Sequence, residues 1–185
     1  MVLEGDTAPD FELPGVAAGA KSRYRLSEAT GRGKYVLLIF YPADFSPVCT
    51  AEMCAIRDSE FFTFETDVEV WGVSGDSVYS HRAFGDQHDL TFPLLSDTER
   101  VVAEEYDNRY DEWEGQRLMT KRAVFLVDPN RKVRYFWQSD DAYAEPDLWP
   151  IKEAIETAKR QGLDTDASTD DLSEPGEEPY VEPLE

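Results

Sequence analysis

The first long apolar run in the chain is KYVLLIFYP, residues 34–42, where apolar and β-branched residues follow one another without polar interruption. That pattern predicts a buried strand, and Pro42 ends it. From about Val48 to Phe64 helix formers dominate, with Met53, Ile56, Glu60 and Phe61 recurring every three or four positions, which predicts a helix with one mostly apolar face. A strand follows at VEVWGVSG, a helix at SVYSHRAFGDQHD, a short apolar piece at TFPLLSD and a helix at ERVVAEEYDN. The stretch RAVFLVDPNRKVRYFWQSD reads as a hairpin turning at DPN, and EPDLWPIKEAIETAKRQG as a last helix stopping at Gly162. Residues 11–33, rich in Gly and small side chains, read as turns and a short surface excursion. Strands alternating with helices and closed by an antiparallel hairpin predict a three-layer α/β domain over residues 1–162.

Composition changes after Gly162. Residues 163–185 hold nine acids, three prolines and no Lys or Arg, so an acidic, disordered or loosely packed tail is expected. The whole chain of 185 residues carries 39 acidic against 18 basic side chains, a net charge of -21. Such a surface repels phosphate backbones and anionic membranes, so neither nucleic acid nor membrane is an expected partner. The acidity also resembles that of proteins from salt-loving microbes, a halophilic archaeon among them, with an ordinary acidic cytoplasmic protein as the alternative. The start MVLEGDTAPDFELPG lacks a basic region followed by an apolar run, and no stretch of about 18 uncharged apolar residues occurs; a soluble, cytoplasmic protein is expected.

In a reducing compartment two cysteines need not be a standing disulfide. Cys49 and Cys54, the only two, lie five residues apart behind the loop between Pro42 and Pro47. A cysteine in the first turn of a helix meets unpaired N–H groups and the positive end of the helix dipole, both of which favour thiolate. The Ser46 hydroxyl lies within reach of that sulfur or of an incoming oxygen. Five residues of ideal helix give about 7.5 Å of rise and roughly 140° of rotation, so Cys54 faces elsewhere, and a disulfide requires the first turns to unwind. That geometry is compatible with a cycle in which Cys49 is oxidised to sulfenic acid and Cys54 then attacks it. Two ordinary buried cysteines remain the alternative. Zinc is disfavoured, since two Cys and two His form no close cluster, and no glycine-rich nucleotide motif appears, so no cofactor is expected. His81 and His88, seven residues apart on one helix, read as surface or packing residues. Asp44 and Phe45 carry only access or packing roles, and Trp113, Trp137 and Trp149 read as core or edge residues.

The stretch YPADFSPVC resembles the peroxiredoxin motif Pro-x-x-x-Thr/Ser-x-x-Cys, with Pro42, Ser46 and Cys49 in register. CTAEMC is similar to the branch of the bacterioferritin comigratory protein, or peroxiredoxin Q, in which a resolving cysteine stands five residues on, here Cys54. GDTAPDFELP, VWGVSGDSVYSHRAF, LTFPLLSD and KRAVFLVDPNRKVRY resemble successive family segments, so the likeness runs over roughly residues 3–160. It implies a thioredoxin-like fold, a central mixed sheet flanked by helices, and a peroxidase acting on hydrogen peroxide or organic hydroperoxides. By resemblance Cys49 attacks the peroxide, Ser46 orients it, Arg122 stabilises thiolate and developing charge, and Glu52 positions the arginine. Pro42 shields the pocket. Thioredoxin or another dithiol is the implied reductant, and a monomer or small homo-oligomer the implied assembly. Some similar proteins act through one cysteine and an external resolving thiol, and a peroxide-sensing or redox-binding thioredoxin-fold protein with little turnover is the other alternative. The segment YDNRYDEWEGQRLMTKR departs from the family pattern.

Overall fold

The computed structural model describes residues 1–167. A seven-stranded mixed sheet forms its centre, in the order β2-β1-β5-β4-β3-β8-β9. The strands are β1 Glu12–Ala17, β2 Ala20–Arg25, β3 Tyr35–Phe40, β4 Val68–Ser74, β5 Leu94–Ser96, β8 Arg122–Val127 and β9 Val133–Ser139; β6 Glu112–Trp113 and β7 Gln116–Arg117 make a separate two-stranded ribbon. Strands β3, β4 and β5 run parallel, while β8 pairs antiparallel with β3. This is the thioredoxin-like α/β architecture expected from the sequence.

Strand β3 shows why the chain folds into three layers. All six of its side chains are buried, and they alternate between two cores. Val36, Leu38 and Phe40 pack with α1 (Leu26–Gly31) and α5 (Val101–Glu105) on one face. Tyr35, Leu37 and Ile39 pack with α2 (Pro47–Arg57), α3 (Glu60–Phe64), α4 (Val78–Gln87) and α6 (Leu148–Ala167) on the other. A strand covered on both sides has no polar face to display, which is why its sequence reads as an unbroken apolar run.

Three expectations are corrected. Residues 11–33 are not mainly turns: they form the β1–β2 hairpin and α1, with Ala18 and Gly19 both at positive φ in its tight turn. Strand β2 is polar because it is an edge, with Arg23 and Arg25 paired to Glu12. The helix expected over residues 48–64 breaks at Asp58 and Ser59, which are the C-cap of α2 and the N-cap of α3, with the Asp58 carboxylate paired to Arg57. Helix α6 runs through Gly162 to Ala167. A Cβ at Gly162 would meet the Tyr35 hydroxyl at 3.0 Å, so this glycine serves close packing and is not a stop. The acidic tail lies, from residue 168 on, outside the described residues.

Candidate active site

Strand β3 ends at Phe40, and the chain leaves the C-terminal end of this interior strand through Tyr41 and the buried Pro42 to the start of α2. Ser46 is the N-cap of α2: its hydroxyl oxygen accepts from the Cys49 backbone N–H at 3.3 Å, and Pro47 occupies the first turn, where no N–H is needed. Cys49 therefore sits in the first turn of an 11-residue helix, fully buried, beside the positive end of its dipole.

Arg122 reaches the same point from another strand. The register pairs Ala123 with Phe40, so the first residue of β8 lies next to the end of β3. Its guanidinium, 0% exposed, donates from Nη2 to Cys49 Sγ at 3.3 Å and from Nη1 to Glu52 Oε2, and Nη2 and Nε both donate to the Ala142 carbonyl, at 3.0 and 3.3 Å. Four bonds from one planar fork thus reach a sulfur, a carboxylate and a carbonyl. Burial pushes the Glu52 carboxyl up to about 7 against the opposing pull of Arg122, and Glu52 Oε1 is buried without a hydrogen-bond partner. Burial works against the charge of Arg122, but Glu52 and Cys49 outweigh it and its pKa rises. The arrangement provides a cation held against a buried sulfur, suited to stabilising negative charge there and on an oxygen leaving beside it.

The loop between Pro42 and Ser46 is tied down from behind. Asp44, 8% exposed, accepts from the Tyr41 hydroxyl at 2.8 Å and the Ser80 hydroxyl at 2.7 Å, and its carboxylate lies 3.0 Å from His81 Nδ1. The Asp44 backbone N–H donates to Asp76 at 2.8 Å. The other ring nitrogen of the fully buried His81 lies 3.0 Å from the Leu95 carbonyl. Burial first, then the facing Asp44 carboxylate, raises the Tyr41 phenol well above its ordinary value. This network is what sequence reasoning missed. The signal was a histidine on a helix otherwise rich in exposed polar residues, and its aspartate partner lies 37 residues away in sequence.

Ser46, Cys49, Glu52 and Arg122 thus lie together, and Pro42 is buried in the loop that leads to them. Cys54 does not join them: it is half-buried further along an intact α2, and both cysteines are free. The five-residue helical separation turns its side chain away from Cys49. His88 is the C-cap of α4, its ring edge-on to Phe84 at 5.0 Å, and forms no metal pair with His81. Phe45 is 47% exposed and packs on Phe84, while Trp149, expected in the core or at its edge, is 66% exposed. Among the described residues no group of three or more His, Cys, Asp or Glu could hold a metal ion, and no helix is long and apolar enough to cross a membrane.

A thioredoxin-like sheet with a buried cysteine opening a helix under a guanidinium defines a thiol redox protein. Residues 4–136 match the AhpC/TSA family. The chain is 37% identical over 145 residues to Peroxiredoxin Bcp of Bacillus subtilis, covering 75% of this chain and 87% of that one. It is 39% identical over 140 residues to a peroxiredoxin of Thermoplasma volcanium, covering 72% of this chain but only 64% of that longer protein. The reduced 2-Cys peroxiredoxin of Plasmodium vivax superposes with a TM-score of 0.76 at 28% identity, over 86% of this chain and 83% of the other. The chain belongs to the AhpC/TSA family, the peroxiredoxins, with relatives in both the Bcp and the 2-Cys branches.

Proposed function

We propose that the chain is a thiol-dependent peroxidase in which Cys49 attacks the terminal peroxide oxygen. The carrying observation is the bond from Arg122 Nη2 to Cys49 Sγ at 3.3 Å, within the first turn of α2. Ser46 holds that turn in place and orients the incoming peroxide. Glu52 keeps the guanidinium in its position, and Pro42 screens the site from water. The family membership and the similarity to named peroxiredoxins support the same reading.

Resolution of the oxidised cysteine goes to an external thiol. Direct attack by Cys54 within the folded helix finds no support in the geometry, because the two free sulfurs stand on different sides of α2. Thioredoxin or a similar dithiol protein is the proposed reductant, acting on a monomer or small homo-oligomer. The CTAEMC spacing and the identity with the Bacillus protein favour the bacterioferritin comigratory branch. The acidic surface favours work at high salt, where screening reduces repulsion between carboxylates. The test is hydrogen peroxide consumption at high salt with a thioredoxin system, for the native chain and Cys49→Ser. Turnover that disappears with Cys49→Ser supports the assignment; a folded native chain that never turns over with a competent reductant sinks it.

A further inference from the structure

Arg122 is a single cation serving two buried acids. Cys49 and Glu52 stand three residues apart on α2, a spacing that sets two side chains on one helix face, and both are buried there. The fork spans them, with Nη2 on Cys49 Sγ at 3.3 Å and Nη1 on Glu52 Oε2. If both acids are ionised, the pocket carries one negative charge more than Arg122 balances, and Glu145 bears on Glu52 with the same sign. If both hold protons, the pocket has a spare positive charge and no nucleophile. With one proton between them it is neutral, the state that burial favours.

The two oxygens of Glu52 are not equivalent. Oε2 takes the guanidinium, while Oε1 is buried with no hydrogen-bond partner. A proton on Oε1 removes the charge and leaves a donor that lacks only an acceptor. Burial holds the carboxyl at about 7 in spite of Arg122, so its proton is available at neutral pH. Neither of the other side chains bonded to Cys49 supplies one. A guanidinium does not deprotonate in proteins, and the Ser46 hydroxyl, whose oxygen accepts from the Cys49 backbone N–H, relays a proton only if it regains one.

Building on the peroxidase reading, we infer that Glu52 is a catalytic residue as well as the partner of Arg122: it holds the site's proton while Cys49 is a thiolate, and gives it to the oxygen that leaves. The S–O bond forms to the terminal peroxide oxygen, the O–O bond breaks, and sulfur is oxidised by two electrons. Those electrons depart on the far oxygen, which takes the Glu52 proton and leaves as water from hydrogen peroxide. The product site holds a neutral sulfenic acid, with the Glu52 carboxylate paired to Arg122, so the pocket is neutral before and after the step. Reduction of the sulfenic acid by two equivalents of thiol returns Cys49 with its proton, and the pair again holds one.

The test compares the rate constants for Cys49 oxidation by hydrogen peroxide and by peracetic acid, by stopped-flow at neutral pH and high salt, in the native chain, Glu52→Gln and Glu52→Asp. Peracetic acid releases acetate, a weak base that leaves without a proton. Glutamine keeps an oxygen for Arg122 but has no proton to give, so the ratio of the hydrogen peroxide rate to the peracid rate is expected to fall about a hundredfold, the lower end for a positioned general acid. Glu52→Asp keeps a carboxyl and should recover part of the ratio. An unchanged ratio in Glu52→Gln, whatever the absolute loss, leaves Glu52 to positioning alone and overturns the proposal. Difference infrared spectra give a second reading: one equivalent of hydrogen peroxide should replace a protonated-carboxyl band of the native chain by a carboxylate band, a change that Glu52→Gln lacks. No such change on oxidation of the native chain also overturns the proposal. A native chain whose Cys49 reacts with neither oxidant overturns the peroxidase reading itself.

Discussion

Glu52→Gln replaces a buried, titrating carboxyl by a neutral amide at nearly constant shape, and the structure sets the sign of the response and its order of magnitude. In the folded chain burial raises the Glu52 carboxyl from an ordinary 4.5 to about 7, in spite of Arg122. Below pH 4.5 the folded and unfolded states both hold the proton. Between 4.5 and 7 only the folded state does, so this group's contribution to stability falls as pH rises through that interval and levels off above it. The total is roughly 3 kcal/mol, from about 1.4 kcal/mol for each pH unit of difference. Glutamine does not titrate. The stability difference between Glu52→Gln and the native chain should therefore move by roughly 3 kcal/mol in favour of the variant between pH 4.5 and 8, read from urea unfolding at constant high salt. Activity should respond in the opposite sense. Only ionised Glu52 pulls Arg122 with full charge, so native peroxide reduction should gain with pH around 7, and the variant should lose that limb. A stability difference that stays flat with pH, together with an unaltered activity profile, would refute the reasoning.

Other consequences follow from the same geometry. Arg122→Ala should lower kcat/KM for peroxide by roughly 10²–10³-fold, the cost of deleting one preorganised donor to developing charge, as measured by stopped-flow. Asp44→Ala leaves the Tyr41 and Ser80 hydroxyls and His81 without their shared acceptor. It should cost about 1–3 kcal/mol for each buried group left unpaired, visible as a fall in Tm, and should slow peroxide reduction by loosening the loop before Ser46. Cys54→Ser should retain peroxide turnover with a small external thiol, and oxidation of the native chain should leave no intramolecular bridge in mass spectra.

Much of this was legible in the chain. Strand β3 announced itself because burial on both faces removes every polar position, and the hairpin of β8 and β9 because Asp128, Pro129 and Asn130 turn between two apolar runs. Pro42 was readable as a strand exit and Cys49 as the opening of a helix because both are local matters, settled within a few residues; Ser46 was picked out by its place in the motif, and its role as the cap of α2 came from the structure. The β1–β2 hairpin was hidden by its own edge position, since an exposed strand rich in Lys and Arg has no apolar face to show. The Asp44–His81 network was hidden for a different reason. Its members belong to a loop and to a helix that meet only after β4 has been laid beside β3, and no local pattern records that meeting. Gly162 misled because glycine ends helices for conformational reasons, but is also tolerated inside them where a neighbour such as Tyr35 leaves no room for a side chain.

The most direct test of the central claim is the site of first oxidation. Native chain treated with one equivalent of hydrogen peroxide in the presence of a sulfenic-acid trap, then digested and sequenced by mass spectrometry, should carry the label on Cys49 and not on Cys54, and Arg122→Ala should label far more slowly. A label on the half-buried Cys54 ahead of the buried Cys49, or equal labelling rates with and without Arg122, would contradict the account.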